Sequence, residues 1–336
     1  MQDRKENTIP LLEVKDLQVE FHMRQGTMYA VRGVNFSLRK GDILGLVGES
    51  GCGKSVTANT ILGLIGKARH EKVSGKILFH GNDILKETEK EQQKLRGDKI
   101  SMIFQDPMTA LDPVAKVGRQ VGETLEIHRK KSKKEAFEAA VRQLVRVGIP
   151  SANERAKDYP FQFSGGMRQR AVIASSLMCE PEILIADEPT TALDVTIQAQ
   201  ILDLLRELRE KNDVAIILIT HDMGVVAELC DTVAVMYAGE IVEKAPVKDL
   251  FENPLHPYTK GLLRCIPVPG RQEKLIPIPG HPPKLYEKRP GCKFAPRCPG
   301  YAEGKCDGDN PLTEAAPEHF AACWRTQAVQ KGECHE

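Results

Sequence analysis

No run of apolar residues in the 336-residue chain approaches the roughly 20 residues that a membrane-spanning helix needs. The first residues are charged, from Asp3 to Glu6, and they lack the apolar stretch of a signal peptide. We therefore expect the chain to stay in the cytosol, so that any link to a membrane comes through a partner.

The sequence also has almost no net charge. Its 47 Lys and Arg residues stand against 46 Asp and Glu residues, which leaves +1 and does not suggest nucleic acid as a bulk electrostatic partner. The composition is that of an ordinary globular protein, with 41% hydrophobic residues and a mean hydropathy of -0.32. Nine cysteines in a cytosolic chain argue against a disulfide framework.

What the sequence does contain is a pattern for binding phosphate. The apolar run Ile43 to Val47 predicts a buried strand, and it leads into Gly48-x-x-x-x-Gly53-Lys54-Ser55. Glycines let a backbone approach an anion closely, and the N–H groups of such a loop and of the following helix form a concave anion site. We predict that Lys54 binds the β- and γ-phosphates of a nucleotide and that Ser55 holds Mg²⁺.

Further polar residues follow predicted strands, at the strand ends where α/β sheets bind their ligands. Asp187 and Glu188 end one such strand, and we predict that Asp187 lies beside Mg²⁺ while Glu188 is a general base for water. His221 is a candidate hydrogen-bond donor to a γ-phosphate, and Gln105 a candidate ligand of Mg²⁺ or of the attacking water. Taken alone, either residue would more often be structural.

Residues 108 to 163 read mainly as helices and predict an insertion between the halves of the phosphate-binding domain. Phe137, Val141, Leu144 and Val145 recur there at helical spacing and predict one apolar stripe.

After this insertion, Ser164 is a good helix N-cap, and Gly165 and Gly166 leave the helix N-terminus open to an anion. A second amphipathic helix is predicted after Asp194.

Four of the nine cysteines, Cys292, Cys298, Cys306 and Cys323, fall in a proline-rich segment, and their clustering suggests a metal centre. Four thiolates suit Zn²⁺ or an iron–sulfur cluster, although the paired Cys-x-x-Cys knuckles of zinc ribbons are missing. From these residues alone, three alternatives stay open: an iron–sulfur cluster, a zinc site and free thiols. The role would be structural, because a short proline-rich segment cannot bury much core.

In their order along the chain, these motifs together resemble the ATPase subunit of ATP-binding-cassette transporters. The resemblance covers residues 11 to 250. It departs from the family pattern at the signature, where Phe163 stands for the usual Leu and Met167 for the usual Gln. Phe163 keeps an apolar side chain at the position of the Leu, whereas Met167 lacks the side-chain amide that Gln would provide.

The resemblance implies an α/β fold. It consists of a phosphate-loop (RecA-like) nucleotide-binding core with an antiparallel β-subdomain, a helical insertion at about 106–178 and a loop-rich C-terminal extension. The ATP-binding domain would span residues 1–250 and the cysteine-rich extension residues 251–336. An aromatic residue of the first strand stacks on adenine in this family, and Phe21 matches it by position, with Tyr29 second.

The family also sandwiches ATP head to tail between two subunits. The residues that the resemblance implies on the chain's own ATP are Phe21, Gly48, Ser50, Gly51, Cys52, Gly53, Lys54, Ser55 and Val56. Those implied in trans are Ser164, Gly165, Gly166 and Asp194. Glu188, His221 and Gln105 would be catalytic, and Ser55, Gln105 and Asp187 would hold Mg²⁺.

The tail resembles the oligopeptide/dipeptide/nickel importer branch. The matching stretches are 253–259, Pro279 to Pro283, and Gly291 to Pro299. This branch implies import of di- or oligopeptides, a related second ATPase subunit, two integral membrane permeases and an extracytoplasmic substrate-binding protein, with no nucleic acid. It places the chain at the cytoplasmic face of the cell membrane as a peripheral subunit. It also implies a [4Fe–4S] cluster on Cys292, Cys298, Cys306 and Cys323.

Two other interpretations compete with this one. A soluble cassette ATPase acting on ribosomes or nucleic acid usually has two cassettes or a long coiled coil, whereas this chain has one phosphate loop and no heptad run. A redox sensor would use the cysteine cluster as its signal. The solute (dipeptide, longer peptide or nickel) and the identity of the second ATPase stay open.

Overall fold

The computed structural model describes residues 9–190, 194–266, 277–286 and 290–326, and it divides into two compact units. The first unit comprises the chain up to Leu38, Leu44–Leu85 and the chain from Thr220 onward. The second unit comprises Arg39–Ile43 and Lys86–Ile219. Each unit contains both strands and helices, so the predicted α/β class is confirmed.

The strands of the described chain are numbered in sequence order. They are β1 (Leu12–Met23), β2 (Gly26–Leu38), β3 (Ile43–Val47), β4 (Glu71–Phe79), β5 (Asn82–Asp83), β6 (Ile100–Ile103), β7 (Ile183–Asp187), β8 (Ala215–Ile219), β9 (Thr232–Tyr237), β10 (Glu240–Pro246), β11 (Thr313–Ala316) and β12 (His319–Ala321).

The α-helices are numbered in the same way. They are α1 (Lys54–Ile61), α2 (Glu89–Leu95), α3 (Pro107–Ala110), α4 (Val117–Arg129), α5 (Lys133–Arg146), α6 (Ala152–Arg155), α7 (Gly165–Ser176), α8 (Val195–Asn212), α9 (Met223–Leu229), α10 (Val247–Glu252) and α11 (Pro257–Arg264). In the part of the chain that the structure describes, three short 3₁₀ turns cover Ile84–Lys86, Pro160–Gln162 and Ala295–Arg297.

The first unit contains two groups of strands. An antiparallel sheet has the order β2-β1-β4-β5, and the hairpin between β1 and β2 turns at Arg24 and Gln25. Five more strands follow the order β11-β12-β10-β9-β3, in which β3 and β9 pair in parallel. Every residue of β3 is buried, as expected for an unbroken apolar strand.

The cysteine-rich tail contributes to the core of the first unit through one aromatic residue. Phe294 is 2% exposed, and its ring centroid lies 5.3 Å from that of Tyr237 and 5.4 Å from that of Tyr258. Tyr237 ends β9 and Tyr258 belongs to α11. The tail is therefore loop-rich, as predicted, but it is anchored by a packed aromatic cluster.

In the second unit, β8, β7 and β6 form parallel pairs, and β7 is buried along its whole length. The helices α4, α5 and α7 contact one another beside these strands. The predicted apolar stripe of α5 is wrong at Val145, which is 61% exposed. The buried face of α5 instead consists of Ala136, Ala140 and Leu144.

Close backbone packing explains this shift. A Cβ placed on Gly122 of α4 would lie 2.7 Å from the carbonyl oxygen of Ala136, so the two helices touch through their smallest residues. A hydrophobicity pattern weights bulky side chains and therefore overlooks an interface made of glycine and alanine.

Within the described residues, none of the helices combines the length and the apolar character that crossing a bilayer requires.

Substitutions at the adjacent residues Leu144 and Val145 test which face of α5 is buried. Leu144 is fully buried, so Leu144→Ala should lower the free energy of unfolding by about 2–5 kcal/mol. Val145→Ala removes an exposed side chain and should change it by less than about 0.5 kcal/mol. Urea unfolding of the full chain measures both, and equal shifts in the two variants would contradict the observed register.

Candidate nucleotide site

The phosphate loop connects β3 to α1 in the first unit. The strand ends at Val47 and the helix begins at Lys54, as the sequence pattern predicts. Gly48 and Gly53 have φ angles of 150° and 110°. A Cβ on Gly53 would lie 2.5 Å from the carbonyl oxygen of Ala30, and a Cβ on Gly48 would overlap the carbonyl oxygen of Met236. Only glycine allows the loop to approach these strands so closely.

Lys54 is 7% exposed, and its ammonium lies inside the curve of the loop. Its Nζ donates to the carbonyl oxygens of Gly48 (2.7 Å) and Glu49 (3.0 Å). One turn along α1, the Thr57 hydroxyl donates to the carbonyl oxygen of Gly53 at 3.0 Å. The loop therefore holds a buried positive charge at the N-terminus of α1, an arrangement that suits a phosphate group.

The tail of the chain reaches this loop through two side chains. The Glu49 backbone N–H donates to the hydroxyl of Tyr258 at 2.8 Å. The Glu49 carboxylate accepts from both terminal nitrogens of Arg297, at 2.7 and 3.0 Å. Sequence reasoning assigned no role to Tyr258 or Arg297. Both lie in stretches that matched the importer branch, but nothing in a linear pattern connects them to Glu49.

Phe21 lies in β1 opposite Met28 of β2 and Glu71 of β4, and it is partly exposed. Tyr29, the second candidate for adenine stacking, has its ring 5.1 Å from the Arg32 guanidinium carbon. The backbone N–H of Tyr29 donates to the carbonyl oxygen of Leu285 at 2.9 Å. The choice between the two rings stays a prediction.

In the second unit, the carboxylates of the predicted pair have different environments. Asp187 is the last residue of β7 and is 4% exposed. Glu188 is partly exposed and has a φ of 48°, in the left-handed region that non-glycine residues seldom adopt. Its backbone N–H donates to the carbonyl oxygen of Ile219 at 2.8 Å. Strain of this kind is concentrated at functional positions in proteins.

Gln105 and Glu188 are brought together within the second unit. The Gln105 Nε2 donates to the Glu188 Oε2 at 3.0 Å, although the two residues are 83 positions apart in sequence. Gln105 is exposed, so its amide can turn without a burial cost. The contact positions the Glu188 carboxylate and occupies one of its oxygens.

The signature helix α7 begins as predicted. The Ser164 Oγ accepts from the Met167 backbone N–H at 3.3 Å, and Phe163 is a buried anchor at 3% exposure. Gln169, which sequence reasoning did not single out, is 1% exposed and donates through Nε2 to the carbonyl oxygen of Pro189 at 2.9 Å. This bond ties α7 to the residue that follows Glu188.

Asp194 forms the N-cap of α8, where its Oδ1 accepts from the Ile197 backbone N–H at 3.0 Å. Its side chain is otherwise exposed. His221 is exposed and precedes α9, whose N-cap is Asp222.

The predicted residues are thus divided between the units. The first unit contains Phe21, Gly48, Ser50, Gly51, Cys52, Gly53, Lys54, Ser55, Val56 and His221. The second contains Gln105, Ser164, Gly165, Gly166, Asp187, Glu188 and Asp194. The convergence of Lys54, Asp187, Glu188 and His221 on one nucleotide stays a prediction.

The four tail cysteines line one small pocket in the first unit, together with His256. Backbone N–H groups point at their sulfurs, for example from Ala302 to the Cys306 Sγ at 3.4 Å. Burial raises the pKa of the Cys292 thiol to about 11, and burial likewise raises the pKa values of Cys298 and Cys323. Across the described ranges, no group of three or more His, Cys, Asp or Glu side chains is positioned to hold a metal ion.

Comparisons with known proteins point in one direction. Residues 31–191 match the sequence profile described as ABC transporter, and residues 242–306 match that of the oligopeptide/dipeptide transporter C-terminal region. The chain is 54% identical over 316 residues to the dipeptide transport ATP-binding protein DppD of Bacillus subtilis, covering 94% of each chain. It is 51% identical to the oligopeptide transport ATP-binding protein OppD of Escherichia coli, covering 94% of this chain and 93% of the relative.

Among solved structures, the chain is similar to the ATP-binding cassette MJ0796, determined as a dimer in a post-hydrolysis state with bound ADP and Pi. The TM-score is 0.64 at 27% identity, over 70% of this chain and 98% of that one. The predicted phosphate-loop core with a β-subdomain is therefore confirmed.

Two glycines of the loop provide a matched test of its geometry. Gly51 has a φ of 77° but open space where a Cβ would be, whereas Gly53 has the Ala30 carbonyl oxygen there. We expect Gly51→Ala to weaken the binding of Mg-ATP by no more than the backbone strain of about 1–2 kcal/mol, which raises the Kd about 5- to 30-fold. Gly53→Ala must also displace the loop, and we expect its Kd for Mg-ATP to rise about 30-fold or more. Titration of the full chain with a fluorescent ATP analogue measures both, and equal effects would contradict the close approach.

Proposed function

The chain belongs to the ABC transporter family, and on that premise we propose that it is the ATP-hydrolysing subunit that powers import of di- or oligopeptides through a membrane transporter. The observation that carries this proposal is the identity of about 50% to dipeptide and oligopeptide transport ATP-binding proteins along nearly the whole chain. The match includes the C-terminal region of such transporters, which a cassette of another function would not need.

The proposed reaction is attack of water on the γ-phosphoryl group of ATP. Lys54 binds the β- and γ-phosphates and offsets their charge, a role that fits its buried ammonium and its place inside the loop. Ser55, Asp187 and Gln105 are the proposed holders of Mg²⁺, which when bound neutralises charge on the phosphate oxygens. Asp187 suits this role because its buried carboxylate ends β7.

Glu188 is the proposed general base. It accepts the proton of the attacking water, and its contact with Gln105 supports this role because the amide restricts where the carboxylate points. His221 is proposed to donate a hydrogen bond to the γ-phosphate. Gln105 can bond either Glu188 or a water, so its partner would change with the contents of the nucleotide site. Because its side chain is exposed, a neighbouring protein could contact it and respond to that change.

Two subunits are proposed to close head to tail around ATP. Ser164, Gly165 and Gly166 would then present the N-terminus of α7 to the ATP on the partner subunit, with Asp194 nearby. Ser164 caps α7 but is exposed, which supports this arrangement. The dimer found for the similar cassette MJ0796 supports it as well. ATP would close the dimer, and hydrolysis would reopen it.

The remaining proposed partners are a related second ATPase subunit, two integral membrane permeases and, through them, an extracytoplasmic substrate-binding protein. The chain would therefore lie peripherally at the cytoplasmic face of the membrane. Its near-zero net charge gives no support to the alternative of an ATPase acting on nucleic acid or ribosomes.

We further propose a [4Fe–4S] cluster on Cys292, Cys298, Cys306 and Cys323. Support comes from the pocket that these residues share and from the backbone N–H groups directed at their sulfurs, which stabilise thiolate ligands. Since no group of three or more His, Cys, Asp or Glu side chains in the described ranges is positioned to hold a metal ion, the four sulfurs would have to move closer together to bind the cluster. The cluster would fasten the tail and take no part in hydrolysis.

The function is tested on the tagged full chain purified from detergent-solubilised membranes. We expect integral membrane permeases to co-purify, and recovery with ribosomes instead would contradict the peptide importer. In that complex, Glu188→Gln should lower the ATPase rate by about 10²- to 10⁴-fold, because a general base contributes that much. ATP binding should persist.

Glu210→Gln serves as the matched control, since it makes the same change at an exposed position of α8 and should hydrolyse ATP at the parent rate. Parent-like turnover in Glu188→Gln would refute its role as the base.

The cluster is tested by iron and acid-labile sulfide analysis of the anaerobically purified full chain, where we expect about four of each per chain. Cys298→Ser should lower both contents, whereas Cys265→Ser should not, because Cys265 does not line the pocket. Stoichiometric zinc, or no metal in the parent chain, would contradict the proposal.

A further inference from the structure

The guanidinium of Arg297 lies at the contact between the cysteine-rich tail and the phosphate loop. Arg297 is 7% exposed and ends the 3₁₀ turn Ala295–Arg297. It directly precedes Cys298 in sequence. Contacts that fix the backbone at Cys298 therefore also fix the position of the Arg297 Cα atom.

Each polar bond that Arg297 can donate is used. Its Nη1 and Nη2 donate to the two carboxylate oxygens of Glu49, at 2.7 and 3.0 Å. Nη1 also donates to the Tyr237 hydroxyl at 3.3 Å, Nε to the Pro279 carbonyl oxygen at 2.8 Å, and Nη2 to the Ile278 carbonyl oxygen at 3.4 Å. A guanidinium has five N–H donors, so this network fixes the plane of the group as well as its position.

Glu49 is the second residue of the phosphate loop, and the side chains of three described residues bond to it. Arg297 binds its carboxylate, Tyr258 accepts from its backbone N–H, and Lys54 donates to its carbonyl oxygen. Two of these three contacts come from the tail, while the third comes from the lysine proposed to bind phosphate. A shift of Glu49 therefore moves both the loop backbone and the acceptor that positions Lys54.

The charge pair is shielded from water. The side chains of Arg297 and Glu49 are 5% and 26% exposed, so the bidentate bond is stronger than a surface ion pair. Removal of the guanidinium would leave a partly buried carboxylate of the phosphate loop without its bidentate partner, and its negative charge would oppose the binding of phosphate.

We propose that Arg297 is a positioning residue of the nucleotide site: through Glu49 it holds the phosphate loop in the conformation that binds ATP. The tail thereby supports the ATP site through its contact with the phosphate loop. This inference rests on the proposed ATPase function.

The test is a double-mutant cycle on the full chain, with Arg297→Gln, Glu49→Gln and both together, titrated with a fluorescent ATP analogue. We expect each single variant to raise the Kd about tenfold, and the double variant to be no more than about twofold worse than either single variant. In the purified transporter complex, KM for ATP should rise while kcat at saturating ATP stays within about threefold. A purely structural role would not separate KM from kcat.

Lys305→Gln is the matched control. Lys305 precedes Cys306 as Arg297 precedes Cys298, and it is an exposed cation that stacks over the Trp324 ring at 4.4 Å. It should bind ATP like the parent. Arg297→Lys keeps the charge but not the bidentate geometry, so its Kd should lie between those of the parent and Arg297→Gln.

Three outcomes would overturn the proposal. These are a parent-like Kd in Arg297→Gln, effects that multiply in the double variant, and a loss of kcat with unchanged KM. If Arg297→Gln fails to fold, Glu49→Gln still decides, because it leaves Arg297 and its bonds to the tail in place. A parent chain that binds no ATP would refute the proposed function itself, whereas parent binding with an unaffected Glu49→Gln would refute only the role of Arg297.

Discussion

The structure depends on one constraint: a short stretch of backbone must stay tightly curved around a buried lysine ammonium. Glycine makes such a curve available but does not hold it, because glycine also makes many other conformations available. The loop is held by its surroundings. Strand β3 anchors its start, the Ala30 and Met236 carbonyls leave no room beside Gly53 and Gly48, and the tail fastens Glu49.

The second unit meets a different requirement at Glu188. If Glu188 is the general base, as proposed, its carboxylate must be oriented and must stay able to accept a proton. The Gln105 amide, 3.0 Å from the carboxylate, orients it and adds no charge of its own. The backbone of Glu188 is fixed as well. Its main-chain bond to Ile219 maintains a left-handed conformation that is costly for glutamate.

Local rules explain which features the sequence predicts well. The bounds of β3, the start of α1 and the caps at Ser164 and Asp194 each depend on residues within a few positions of one another. The prediction that Val145 belongs to the buried face of α5 was wrong. Glycine on α4 and alanine on α5 decide which face is buried, and a hydrophobicity pattern gives these small residues little weight. Arg297 was missed because its partner Glu49 lies 248 positions away.

The tail shows why such distant contacts matter. A loop-rich segment of this length has little apolar surface of its own, so it needs attachment points supplied by the rest of its unit. Phe294 packs against Tyr237 and Tyr258, and Arg297 bonds the hydroxyl of that same Tyr237 while Tyr258 bonds the phosphate loop. Two of the residues that anchor the tail, Tyr258 and Arg297, therefore also bond to the loop. On the proposed role of Arg297, a change that loosens the tail would therefore alter the phosphate loop through Tyr258 and Arg297, the two residues that bond to Glu49.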